Sequence, residues 1–123
     1  MDRLFVGLGA CSALIAVALG AFGAHGLRGR LVPDMLSVFE IGVRYQMYHA
    51  LALMLVGALA GRLAAGPASI AGWLFVVGTL VFSGSLYALS LTGVRWLGAI
   101  TPLGGLAFLA GWGLLAWAAW ARS

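Results

Sequence analysis

Four long apolar stretches, residues 4–24, 42–61, 70–91 and 99–121, follow one another along the chain with only short polar breaks between them. Each is near the roughly 20 residues that carry a helix across about 30 Å of hydrocarbon. Backbone amides find no water in hydrocarbon, so a spanning segment must be a helix or a strand of a closed barrel. None of the four alternates apolar and polar positions as barrel strands do. The pattern predicts an all-α integral membrane four-helix bundle: one domain over residues 1–123, four transmembrane helices and short loops. The first stretch is expected to remain in the mature chain, because it is about 20 residues long and three more spans follow it.

The breaks fit that reading. "RGRLVPDMLS", residues 28–37, is the longest polar stretch; Pro33 and Asp34 mark a turn there, with Ser37 as the expected cap of the second helix. "RLAAGPAS" joins spans two and three through Gly66 and Pro67, with Ser69 as a cap, and "TGVRW" joins spans three and four. Pro102 is expected in the first turn of the last helix, where its missing amide hydrogen has no intrahelical partner to lose.

Within the spans, small residues recur at helical spacing. Ala16, Gly20 and Ala24 share one face of span one, and Gly104, Ala107, Gly111 and Ala118 share one arc of span four. Span three places Gly72, Thr79, Ser83 and Ser90 together, with Tyr87 beside them. Helices in lipid gain little by hiding apolar area from one another, so small faces and interhelical hydrogen bonds are expected to hold them. In span two, Gly42, Tyr45, Gln46, His49, Gly57 and Ala60 fall on one side and are expected to face the bundle. Val43, Met47, Leu51, Met54 and Ala58 fall on the other and are expected to face lipid.

Composition sharpens the class. With 63% hydrophobic and 8% charged residues, and a mean hydropathy of +1.09, the chain has too little polar surface to coat a water-soluble globule. The formal charge of +4 rests on seven arginines and no lysine. Arg3, Arg28, Arg30, Arg62, Arg95 and Arg122 sit at span ends as membrane-edge anchors, and Arg44 lies slightly inside. They are split almost evenly between the two sides, so the positive-inside rule sets no clear orientation. No basic run with interleaved aromatics is present, which argues against a nucleic-acid partner. The single Cys11 excludes an intrachain disulfide and reads as a small packing residue. Trp96, Trp117 and Trp120 fit an interfacial aromatic belt; Trp112, mid-span, does not.

The candidate chemistry is sparse. His49 falls some seven residues, about 10 Å, inside the hydrocarbon, where both ring nitrogens need partners that Tyr45 and Gln46 can supply locally. Glu40 and Arg44 are the one acid–base pair at i,i+4 spacing, expected to meet each other or a neighbouring arginine near the headgroups. His25, between Gly23 and Gly26, reads as a clasp bonding the end of helix one to loop carbonyls or to the Tyr45 and Glu40 end of helix two. Ser83 and Tyr87 bond across helices or, alternatively, line a path for a polar solute. His25 and His49 differ in depth, which argues against a shared haem, and two histidines without a matched cysteine or carboxylate make no specific metal set. No cofactor is expected. No nucleophile–base, paired-carboxylate or phosphate-cradling arrangement is visible, so an enzyme is not expected.

Three blocks, "GAFGAHGL" at residues 20–27, "YQMYHALAL" at residues 45–53 and "FSGSLYALSLTGVRWLGAITPLGGLAFLAGW" at residues 82–112, together resemble the small bacterial membrane proteins called domain of unknown function 423, or uncharacterised protein family 0382. Their eukaryotic relatives look like the mitochondrial transmembrane protein 256. The family pattern falls here on Gly20, Gly23, Ala24, His25 and Gly26, on Tyr45, Gln46, His49 and Ala50, and on Ser83, Gly84, Ser85, Tyr87, Thr101, Pro102, Gly104 and Gly105. Glu40 and Arg44 have no assigned place in it. The resemblance implies a four-helix protein of the bacterial cytoplasmic membrane and brings no established activity, substrate or cofactor.

The expected role is that of a non-enzymatic accessory or scaffold protein packing with other membrane proteins. A homo-oligomeric transporter or channel, and a lipid, quinone or haem binder, are the alternatives. The expected partners are the lipid bilayer and either further copies of the chain or a membrane-protein complex.

Overall fold

The computed structural model describes residues 2–121, and among them all regular structure is helical. Helix α1 spans Asp2–Phe22 and runs on into a wider π turn, Gly23–Leu27. Helix α2 spans Pro33–Ala58, α3 spans Ala65–Thr92, a 3₁₀ turn covers Arg95–Ala99, and α4 spans Thr101–Trp120. Three stretches are long and apolar enough to cross a membrane: Asp2–Leu27, Ala65–Thr92 and Arg95–Trp120. Helix α2 is 26 residues long but carries Arg44, Gln46 and His49, which set it apart from those three in apolarity. It lies antiparallel between α1 and α3, with Gln46 and His49 sheltered inside the bundle and Arg44 exposed on its flank.

Several boundaries differ from those the sequence predicts. Helix α2 starts at Pro33 rather than at Ser37, with Pro33 in the first turn and no side-chain cap. The missing proline amide hydrogen costs nothing at that position, the same logic that places Pro102 in the first turn of α4. Helix α2 ends at Ala58, and the turn after it runs through Gly61 at φ 89. Helix α3 begins before Gly66 and Pro67, so Ser69 caps nothing.

The helices form a diamond in which α2 and α3 are central and α1 and α4 flank them on opposite sides. Glycines set the seams. A methyl group on Gly57 would stand 2.5 Å from the Asp2 carbonyl oxygen, and one on Gly9 would stand 2.6 Å from that of Ala50, so α1 and α2 touch backbone to backbone. Gly104 admits the Phe82 backbone in the same way between α4 and α3, while Gly78 and Gly111 receive the rings of Phe108 and Phe75. Phe5 reaches from α1 over Gly72 of α3 and meets Trp73 edge-on at 5.4 Å. The core gathers Phe5, Leu53, Val56, Phe75 and Phe108.

The outer surface is apolar, as lipid requires: Leu14, Leu80 and Leu109 are each 70% exposed. Trp96 lies at one end of the bundle and Trp117 and Trp120 at the other, all exposed. Arg3 and Arg62 mark one edge and Arg28, Arg30 and Arg95 the opposite one. Arg122, the remaining anchor read from the sequence, lies outside the described residues. Cys11 is exposed on α1, beside the cleft that α1 shares with α2 and α3, and is not a buried core residue.

Candidate functional site

The polar side chains of the spans converge on the inside of α2. Gln46 is 6% exposed and His49 is 4% exposed. Gln46 bonds in both directions: its Nε2 donates to the Ser12 carbonyl oxygen of α1 at 2.9 Å, and its Oε1 accepts from the Tyr87 hydroxyl of α3 at 2.6 Å. One turn away, the Ser83 hydroxyl of α3 donates to the Gly42 carbonyl oxygen at 2.6 Å. Towards α4, the Trp112 indole Nε1 donates to His49 Nε2 at 3.0 Å, and Ser85 and Thr101 share a hydrogen bond of 2.5 Å. Every helix is thus bonded to a neighbour through at least one buried polar contact. Each such bond contributes on the order of 0.6 kcal/mol in a membrane interior.

His49 is the most enclosed of these groups. Its Nδ1 lies 2.8 Å from the Tyr45 carbonyl oxygen, one helical turn back. A carbonyl only accepts and an indole N–H only donates, so the ring carries its proton on Nδ1 and offers its lone pair at Nε2. The imidazole is neutral, and both nitrogens are occupied from within the chain. It stacks on Phe108 with centroids 3.5 Å apart and planes at 7°, and Phe75 and Trp112 close the cage. Neither nitrogen is left to ligate iron or another metal, and among the described residues no three His, Cys, Asp or Glu side chains gather where an ion would sit.

Trp112 was anomalous as a belt residue, and its indole N–H now has a reason to be mid-span. A buried indole donor needs an acceptor. His49, 63 residues earlier, is that acceptor. Ser12, Ser85, Thr101 and Trp112 complete the polar network; Ser85 and Thr101 enter the sequence reading only through the family pattern, Ser12 carries no signal there, and the mid-span position of Trp112 is a usable one.

Tyr45 is not the partner expected for His49. Its side chain is 38% exposed on the rim of α2, packed on Phe82 and Tyr48, and only its backbone carbonyl serves the imidazole. The lipid-facing arc of α2 is accordingly shifted. Arg44, Tyr48, Leu51, Leu55 and Ala58 are exposed, whereas Val43, Met47 and Met54 are half-buried because α1 lies on that side. Ala60, beyond the helix end, is exposed.

Glu40 and Arg44 do not form the expected ion pair: no carboxylate–guanidinium contact is present among the described residues. Both are exposed beside a shallow depression that Gly20, Gly23, Phe39 and Val43 also line. His25 likewise makes no side-chain hydrogen bond among the described residues, and it is exposed in the π turn. The clasp at this corner is aromatic instead. The Phe39 ring seats on Gly23, where a methyl group would stand 3.0 Å from it, and meets Phe22 and Tyr87 at centroid distances of 6.5 and 5.1 Å. A His25→Phe variant is therefore expected to hold its thermal stability within about 0.5 kcal/mol, as surface changes do. Gly23→Leu, which drives a side chain into the Phe39 ring, should cost about 2 kcal/mol in the same unfolding measurement.

Residues 19–105 match the family described as "Protein of unknown function (DUF423)". The chain belongs to the DUF423 family. It is 54% identical over 111 residues to the UPF0382 membrane protein YwdK of Bacillus subtilis (strain 168), covering 89% of this chain and 90% of that one. It is 51% identical over 113 residues to a UPF0382 membrane protein of Staphylococcus haemolyticus, covering 92% of each. A UPF0382 membrane protein of Staphylococcus aureus (strain bovine RF122 / ET3-1) is 50% identical over 113 residues, again 92% of each. No solved structure matches the chain. The DUF423 match covers the polar network from Gly42 through Thr101 and leaves Ser12 and Trp112 outside it. Membership makes this a membrane protein of a family without an assigned activity, and nothing in its relatives' names points to catalysis.

Proposed function

We propose that the protein is a non-enzymatic accessory component of the cytoplasmic membrane that packs with other membrane proteins through the outer faces of α1 and α4. The observation that carries this reading is how the glycines are used. Most of those in the spans meet a neighbouring side chain or backbone of the same chain; of the helical glycines with nothing within 4 Å, Gly66 and Gly84 lie on α3, Gly84 in the cleft it shares with α1 and α2, whereas Gly7 and Gly113 lie on the flanking helices α1 and α4. Small residues on a lipid-exposed helix favour close approach of another helix. The buried polar side chains support the same reading from the inside. Ser83, Ser85, Tyr87, Gln46 and His49 are all bonded within the bundle, so these side chains are committed to holding the helices together.

Site-specific photo-crosslinking in native membranes, from residue 7 or residue 113, tests it. A discrete adduct with another membrane protein, lost when the neighbouring small surface is filled by Ala10→Leu or Ala110→Leu, is the expected result. Adducts with lipid alone would overturn the reading, and adducts only with further copies of the chain would replace it with self-association.

A further inference from the structure

A groove of about 430 Å³ opens laterally towards the hydrocarbon between α1, α2 and α3. Its walls are apolar, formed by Ile15 and Leu19 on one side and Val76 and Leu80 on the other, but its floor is not. Ser12, Gln46 and Thr79 line it, one residue from each helix. They sit at one depth. Gln46 bonds the Ser12 carbonyl directly, and Thr79 lies one turn from Ser83 as Gln46 lies one turn from its partner Gly42 on the antiparallel neighbour. Counted along α1 and α3, this level is near the middle of both spans.

All three residues retain unused donor capacity. Thr79 Oγ1 is the one buried side-chain oxygen or nitrogen among the described residues with no hydrogen-bond partner. The Ser12 hydroxyl makes no bond among the described residues. The Gln46 amide spends one hydrogen on Ser12, and the Tyr87 hydroxyl, by donating to Oε1, fixes which end of the amide is the donor. An unpartnered hydroxyl in hydrocarbon is costly, so Thr79, with the Ser12 hydroxyl and the second Gln46 amide hydrogen at the same depth, favours an acceptor from outside the chain.

We propose that this groove binds a membrane-dissolved isoprenoid quinone, its ring carbonyl oxygens accepting from Ser12, Gln46 and Thr79 at mid-depth and its tail lying between the apolar walls. Thr79 reaches the ring by exchanging Oγ1 with Cγ2 about χ1, a rotation threonine tolerates in helices. The chemistry selects against other occupants. Phospholipid carbonyls are held at the headgroup level, about 15 Å from the midplane. A helix of another protein has its carbonyls engaged in its own ladder and, at a diameter of about 10 Å or more, exceeds the groove. The volume falls in the range of small-molecule sites. Binding alone is proposed, with no electron transfer. The inference is independent of the accessory role, since neither Gly7 nor Gly113 lines the groove.

The test is native mass spectrometry of the full chain in quinone-free lipid discs, titrated with a short-tailed menaquinone. A one-to-one adduct that withstands added phospholipid is expected, and Thr79→Val, which preserves shape and removes the hydroxyl, should weaken it about tenfold at unchanged melting temperature. Ser12→Ala should lower affinity in the same direction. Three outcomes would overturn the proposal: no quinone adduct, an adduct displaced by phospholipid, or equal affinity in Thr79→Val and the parent chain.

Discussion

Replacing Gly104 with valine should part α4 from α3 and cost about 3 kcal/mol of bundle stability, the upper end of what overpacking does. The reason is local and steric. A Cβ at Gly104 would run into the backbone nitrogen and Cα of Phe82, and backbone in the middle of a helix cannot turn aside as a side-chain tip can. The helices would have to separate, and with them would go the Ser85–Thr101 hydrogen bond half a turn to a turn away and the contact of Phe108 over Gly78. Gly113→Val is the control, because nothing lies within 4 Å of a Cβ added there. Unfolding in mixed micelles should show the first variant melting early and the second within about 0.5 kcal/mol of the parent. Equal stability of the two variants would mean that the α3–α4 seam is not built on Gly104.

His49→Ala carries the other large effect. It removes two hydrogen bonds and a ring stacked on Phe108, opens a cavity between α2 and α4, and leaves the Trp112 N–H facing hydrocarbon. Those losses sum to about 3 kcal/mol. The more specific measurement is a double-mutant cycle with His49→Leu and Trp112→Phe. Each single change strands one polar group, whereas the pair removes both, so the double variant should be about 1 kcal/mol more stable than additivity allows. Strict additivity would refute the indole–imidazole bond.

The four helices were legible because lipid imposes a blunt rule: about 20 apolar residues or no crossing. The inward placement of Gln46 and His49 was legible for a related reason, since polar groups in a span turn away from hydrocarbon. What failed was the assignment of partners. Tyr45 is near His49 in sequence and on the same side of an ideal helical wheel, yet the wheel does not say where neighbouring helices lie. Because α1 occupies the Met54 side and α4 the His49 side, the buried arc rotates and leaves the Tyr45 ring at the rim. Glu40 and Arg44 have the right spacing for an ion pair, but both are exposed, where such pairs contribute little. Pro33 marks a turn in the sequence pattern, yet the first-turn argument for Pro102 fits it equally well. The wider turn at Gly23–Leu27 had only its glycines as a sign, and glycine is as compatible with a loop as with a helix that must accept a ring.

The bond between Trp112 and His49 also bears on how the chain is made. Synthesis delivers α1, α2 and α3 to the bilayer before α4 exists, and at that stage Ser12, Gln46 and Tyr87 already have one another. His49 does not: its Nε2 waits for a residue 63 positions downstream. The final helix therefore completes the polar interior as well as adding apolar area. A nascent chain that ends early displays an unfilled nitrogen lone pair on the flank of α2, a chemical mark by which an incomplete product differs from a finished one.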